Sequence, residues 1–540
     1  MQAEPTGQTR LMTSRQRWTM AAAILGSGIV FLDSTVVNVA LRRIGQELPA
    51  STIGVLEGQT YVNSGYLAVL AALLILGGEL SDRYGRHRIL SIGLVAFGLT
   101  SALCGLAPTL EALVVFRLLQ GAAAALLVPG SLALITTTFD GPARARAFGI
   151  WASATSAAAI LGPVVGGFVV DDLSWRLAFL INLPLVVVAL VGLHRGVPEL
   201  ATAAPRRRLD WLGSLTVVAA VGGLAFGLIR GQQRAWADPL GWAALGLGTV
   251  AAIAFPILMA RRRDPLVPLS LFRNRRFAVI NLSTFLIYGA LYVVFGYQSL
   301  FLQGTLGYSA MGAALVGLPS GLLLVLLSTR VGTLAGRMGP RRFLLAGPLV
   351  MAGALLWLAR IPASSVPWLL NVHQPSSFVP PPSTLIDVLP MTIAFGIGIS
   401  LVVAPLTSTL MSSIPVDRAG LGSAINNAIS RLGQPLIGAL IFIAVTGSFY
   451  GGLAERVPGL QASDPRLRAV VAPLNAAPPT ASPELALAAR EASTDAFRLA
   501  LLVAAGLLAA GSLVNGVGLR ERSLAGAVTG PLPGPEPEPR

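Results

Sequence analysis

The chain has 540 residues, 54% hydrophobic and only 12% charged, with a mean hydropathy of +0.72 and a formal net charge of +15. Soluble domains carry about 25% charged residues, so this chain cannot cover a soluble surface, and its expected solvent is lipid. Its positive charge sits in short clusters between apolar runs, the pattern that sets membrane topology, and no basic tract is long enough to track a phosphate backbone.

Apolar stretches of about 20 residues predict membrane helices. The first runs near 18–40. Arg10, Arg15 and Arg17 precede it as they would a signal peptide, but it contains Asp33 and no small-x-small cleavage site, so it reads as a retained helix. Further helices are expected near 58–78, 88–107, 111–135, 146–170, 175–193, 211–229 and 239–260. Six more fall near 277–302, 309–332, 342–360, 386–410, 420–447 and 497–518. Two connecting stretches are long. Residues 361–385 are rich in Pro and Ser, and 448–496 mix Pro, Ala and scattered charge, with "SPELALAAREAS" suited to a short helix capped at Ser482. The last residues, "PLPGPEPEPR", hold too much Pro to pack.

Fourteen crossings put both termini on one side. The N-terminus, the even-numbered loops and the C-terminus hold 26 of the 39 basic residues, so the positive-inside rule makes that side cytoplasmic. The expected architecture is an all-α polytopic membrane protein. Residues 1–17 form a cytoplasmic segment, 18–195 a six-helix bundle, 196–265 two linking helices, 266–520 a second six-helix bundle with the long outer loops, and 521–540 a disordered tail. The linking pair holds only Ser214, Thr216 and Thr249 as polar membrane residues, which suggests a spacer. An internal repeat supports two halves. "GELSDRYGRHRIL" (78–90) matches "GTLAGRMGPRRFLL" (332–345), with Asp82 replaced by Gly336, and "ILGPVVGG" (160–167) is echoed by "RLGQPLIG" (431–438). Such repeats build many secondary transporters around a midplane site.

Several enzyme classes lack their residues. Every basic residue is arginine, so a Walker A or Schiff-base lysine is excluded, which argues against an ATP-driven pump. Cys104 is the only cysteine, and His87, His194 and His373 are scattered through predicted loops. No disulfide framework, catalytic cluster, metal centre or cofactor is expected.

The quoted motifs resemble those of the major facilitator superfamily, and within it the fourteen-helix drug:proton antiporter branch, the EmrB/QacA-like transporters. "LDSTVVNVAL" (32–41) resembles that branch's first-helix motif, "GELSDRYGRHRIL" the loop between helices two and three, and "RLLQGAAAA" (117–125) the fourth-helix motif. "LGPVVGG" resembles the antiporter motif of helix five, and "SWRLAFLINLP" (174–184) the entry to helix six. The resemblance covers roughly residues 15–520.

An Asp at the centre of a membrane helix costs about 3 kcal/mol, so Asp33 needs a partner or a wet cavity. Arg117 is its candidate partner. With a rise of about 1.5 Å per residue, both lie roughly 10 Å below the outer boundary, on helices that line the cavity in the resembled family. Desolvation favours the neutral acid and a nearby arginine the carboxylate, so such a group can exchange a proton as its surroundings alternate. The bland reading is a fixed structural ion pair. The resemblance implies that Gly78, Asp82, Arg83, Gly85 and Arg86 form a gating latch, although topology alone accounts for the arginines. It also links Gly162, Pro163, Gly166 and Gly167 to antiport, while small residues four apart and a Pro equally suit a bent packing seam.

Asn427, Ser430, Arg431 and Gln434 share one face of a late helix, and Tyr288, Tyr292 and Phe295 form an aromatic stripe suited to a flat or cationic substrate. With Asn38 and Gln120 they are the substrate-cavity candidates; structural hydrogen bonding and plain packing are the alternatives. The resulting expectation is a proton-coupled exporter of hydrophobic, often cationic small molecules, acting as a monomer in a bacterial cytoplasmic membrane. A dedicated exporter of one metabolite, lipid or siderophore would share the fold. A passive facilitator fits less well, because it needs no intramembrane acid.

Overall fold

The computed structural model describes residues 12–139, 141–196, 209–414 and 419–519. Most of segment 1–17, the arginines 206–208 and the tail 521–540 lie outside the described residues. Inside a bilayer each backbone N–H and C=O must be satisfied within its own segment, and the apolar runs accordingly form long helices. In chain order these are α1 (Ser14–Glu47), α2 (Val55–Tyr84), α3 (Arg86–Gly105), α4 (Leu110–Thr138), α5 (Gly141–Phe168) and α6 (Asn182–Gly196). The pair α7 (Trp211–Gln233) and α8 (Pro239–Arg261) follows. Then come α9 (Arg275–Leu300), α10 (Ala310–Met338), α11 (Pro340–Leu358), α12 (Leu389–Ser412), α13 (Ala419–Arg456) and α14 (Pro483–Gly518). Thirteen helical segments among the described residues are long and apolar enough to cross a membrane, and α5 completes fourteen crossings. This is the expected fold class.

The two sets of six pack alike. In the first, α1 lies against α4, α5 and α6, α2 against α4, and α3 against α4 and α6. In the second, α9 lies against α12, α13 and α14, α10 against α12, and α11 against α12 and α14. The seam between them is reciprocal too, with α2 on α13 and α5 on α10. The repeated loop motif has a backbone counterpart. Gly85 and Gly339 occupy the same register of the two copies, with φ of +96° and +84°, values that a side chain would strain.

One expectation is corrected. The helix foreseen at "SPELALAAREAS" is the start of α14, capped where expected by Ser482, which accepts from the Leu485 N–H at 3.2 Å. Its charges made it look separate from the following apolar run, but they are paired beyond that run. Arg456 at the end of α13 reaches Glu491 at 3.2 Å and Asp495 at 2.6 Å. The true loop is shorter and carries a one-turn helix, Pro465–Val470.

The linking pair is packed onto both halves, with α7 against α2 and α13. Tyr61 stacks on Phe226 with ring centroids 5.5 Å apart. Arg230 bonds Asp238 at 2.6 Å and lies 3.7 Å from the buried Glu57 of α2, and Arg234 donates to the Thr52 carbonyl at 2.6 Å. From the second half, Arg468 donates to the Gln232 and Gln233 carbonyls at 2.6 and 3.1 Å. These ties end largely on backbone carbonyls, which a sequence does not single out.

Candidate functional site: a sealed carboxylate and an adjoining cavity

Asp33 sits in mid-α1, where the helix satisfies its own backbone and leaves the side chain to find partners on neighbouring helices. It finds three. Its Oδ2 accepts from Arg117 Nη1 of α4 at 2.5 Å. Its Oδ1 accepts from Gln120 Nε2 at 3.1 Å and from Asn182 Nδ2, at the start of α6, at 2.9 Å. Ser101 of α3 closes the knot by accepting from Gln120 and Asn182 and donating to the Phe179 carbonyl. Arg117 donates further to Gln120 Oε1 at 2.7 Å and to the Val62 carbonyl at 3.0 Å, and lies 3.9 Å over the Tyr66 ring. All five polar side chains of the knot are 0% exposed.

All three partners of Asp33 are donors, which suits an acceptor-only carboxylate. The knot ties α1, α3, α4 and α6 together through this one carboxylate.

Beside this knot, between the halves, is a cavity of about 230 Å³. It is lined by Phe31, Tyr288, Tyr292, Asn427, Ser430 and Arg431, with Thr407 and Met411 of α12 and Asn426 of α13. A narrower slot of about 30 Å³ reaches from Tyr292 toward the far ends of α1 and α9, past Asn63 and Gln434. Beyond the slot the halves are joined. Ser299 donates to the Asn38 carbonyl at 3.0 Å and Gln303 to the Val39 carbonyl at 3.1 Å, and Gln59 and Asn475 exchange amide bonds at 3.0 Å. Asp171 accepts the Ala310 and Met311 N–H groups at 2.9 and 2.7 Å, thus capping α10 from the other half.

Of the glycines expected in helix five, Gly167 permits this junction, while Gly162 and Gly166 permit the close packing of α5 on α1 within the first half. A Cβ on Gly166 would meet Val36 of α1 at 3.1 Å, one on Gly167 would meet Met311 of α10 at 2.7 Å, and one on Gly162 would strike Thr35. Pro163 lies within the same helix. At the opposite end, Gly78 faces Pro129, and the exposed Asp82 accepts from Arg86 Nη2 at 3.2 Å across the Gly85 break. Arg83 lies over the Tyr84 ring.

Not every cavity candidate lines a cavity. Gln120 belongs to the Asp33 knot, and Asn38 accepts from Asn63 at 2.5 Å behind the slot. Phe295 shares the face of Tyr288 but lies farther along α9, beyond the cavity, where its ring meets Phe395 at a tilt with centroids 5.6 Å apart and is 39% exposed. Asn182, Ser101, Tyr66 and Phe31 were not singled out in the sequence. The available signal was an amide in the apolar run "LINLPL"; a serine or a ring in such a run carries none.

A profile of the Major Facilitator Superfamily matches residues 23–438. The multidrug resistance protein Stp of Mycobacterium tuberculosis is 32% identical over 81% of this chain and 76% of its own length. The puromycin resistance protein pur8 of Streptomyces alboniger is 30% identical over 82% of this chain and 84% of its own. The methylenomycin A resistance protein of Bacillus subtilis is 32% identical over 78% and 85%. Among solved structures, a bacterial homologue of the human lysosomal transporter Spinster, in an inward-facing and occupied conformation, superposes with a TM-score of 0.63. It shares 16% identity and is aligned over 94% of this chain and 97% of that one.

Proposed function

The chain belongs to the Major Facilitator Superfamily, and from that premise we propose that it is a proton-coupled exporter of hydrophobic small molecules in a bacterial cytoplasmic membrane. The observation that carries this reading is the fully buried Asp33–Arg117 pair beside a cavity shared by the two halves. Relatives named for resistance to several chemically distinct compounds support export rather than uptake.

In this reading both termini are cytoplasmic, so the joined ends of α1, α5, α9 and α10 are the outer gate, and the structure faces inward. Substrate enters the cavity beside Tyr288 and Tyr292. Substrate binding rocks the first bundle against the second and opens the outer gate. A proton from outside then reaches Asp33, releases Arg117, Gln120 and Asn182, and drives the return once the substrate has left. Gly162, Pro163, Gly166 and Gly167 seal the outer seam. The loop holding Gly78, Asp82, Arg83, Gly85 and Arg86 acts as the inner latch. One charge moving across 100 mV supplies about 2.3 kcal/mol, enough to drive roughly fiftyfold accumulation per proton. The unit is a monomer, since each half finds its partner within one chain.

The test is Asp33→Asn in inside-out vesicles. Substrate added to wild type should dissipate an imposed pH gradient, and the variant should insert normally but leave the gradient intact. Full coupling in the variant would remove Asp33 from the mechanism.

A further inference from the structure

The arginine of α13 is unlike that of α4. Arg431 is 4% exposed, yet it makes no hydrogen bond or ion pair to any described residue. Its guanidinium carbon lies 5.3 Å from the centroid of the Phe31 ring. Five N–H donors on a permanent cation thus point into a cavity whose other polar lining is neutral: Tyr288, Tyr292, Thr407, Ser423, Asn426, Asn427 and Ser430. Among the described residues, neither the cavity nor the slot has an acidic side chain in its lining. The nearby Asp33 is 0% exposed and already holds three donors. The only full charge that the described lining presents to a bound molecule is therefore positive.

A lone cation near the membrane centre costs about 3 kcal/mol, and a guanidinium regains most from a planar, two-oxygen partner. Around Arg431 the rings of Phe31, Tyr288 and Tyr292 offer flat apolar surface. We infer that Arg431 is the recognition cation for an acidic group, a carboxylate or sulfonate, carried on an aromatic substrate whose body rests on these rings. The inference uses the proposed function only in taking this cavity as the substrate site. A substrate can still carry a positive charge elsewhere, but bringing one near Arg431 without a balancing anion is disfavoured by like-charge repulsion.

Rhodamine B and its ethyl ester test this, because they share one ring system and differ in whether the carboxylate is free. Binding is measured by fluorescence polarisation on the full chain in lipid nanodiscs, with wild type, Arg431→Lys and Arg431→Gln. Wild type should bind the free acid at least tenfold more tightly than the ester. Arg431→Gln should erase that ratio by weakening the acid without weakening the ester, whose cationic ring is no longer repelled, and Arg431→Lys should keep part of it. Fluorescein, an anion on a similar ring, should follow the free acid.

Equal binding of acid and ester by wild type overturns the inference, as does an equal loss for both dyes in Arg431→Gln. Either result would mark Arg431 as a hydrated structural charge. The two proposals fail separately. If vesicles export the ester against a pH gradient and wild type does not prefer the acid, the exporter reading stands and this one falls. Acid preference without proton-linked flux gives the reverse.

Discussion

The two halves are built on one repeat and handle charge in opposite ways. In the first, α1 and α4 carry an acid and an arginine that face each other in a sealed knot. Their counterparts α9 and α12 carry no acid at all, and the second half places its buried arginine on α13, facing a cavity with no hydrogen-bond or ion-pair partner among the described residues. Duplication preserved which helices touch and left the polar residues free to diverge. A paired charge can gate a rearrangement, because changing its protonation changes the packing around it. An unpaired charge can recognise a ligand, because its hydrogen-bonding capacity is still open.

The largest expected difference is in stability. Arg117→Gln leaves Asp33 buried with only two neutral donors, and breaking a buried pair costs about 3–5 kcal/mol. Thermal unfolding in detergent should show that loss, whereas Arg431→Gln, which breaks no bond, should shift stability by less than about 1 kcal/mol. Equal losses would erase the distinction between a structural and an available arginine.

A smaller effect is expected where α7 bridges the halves. Arg230→Ala removes the bond to Asp238 and the cation near buried Glu57. The variant should unfold earlier than wild type, by less than Arg117→Gln does. It should also label faster at a cysteine placed in the Pro465–Val470 turn, because the anchor of α7 to α2 is weakened. Unchanged stability would return α7 and α8 to the role of a spacer.

The smallest effect belongs to the exposed loop. Surface ion pairs contribute about 0–1 kcal/mol, so Asp82→Asn should leave stability alone and slow turnover several-fold without altering which compounds are exported. A changed substrate profile at normal turnover would contradict the latch reading.

The sequence by itself determined the solvent, the number of crossings and the repeat. Each follows from patterns along the chain: apolar length, arginine placement and a motif written twice. It also made Asp33 conspicuous, since a lone acid in an apolar run is costly wherever the helix packs, and matching depths along α1 and α4 pointed to Arg117. Only the tertiary structure decided the rest. Asn182 and Ser101 complete the knot from helices that give no sign of their facing, and Gln120 turned into that knot rather than the cavity. Phe295 lies beyond the cavity's extent along α9 and meets Phe395 instead. Arg431 looked much like Arg117 in sequence, a single arginine in a membrane helix. What separates them is whether an acceptor lies across the gap, and that depends on how α13 is rotated against its neighbours, which no local pattern encodes.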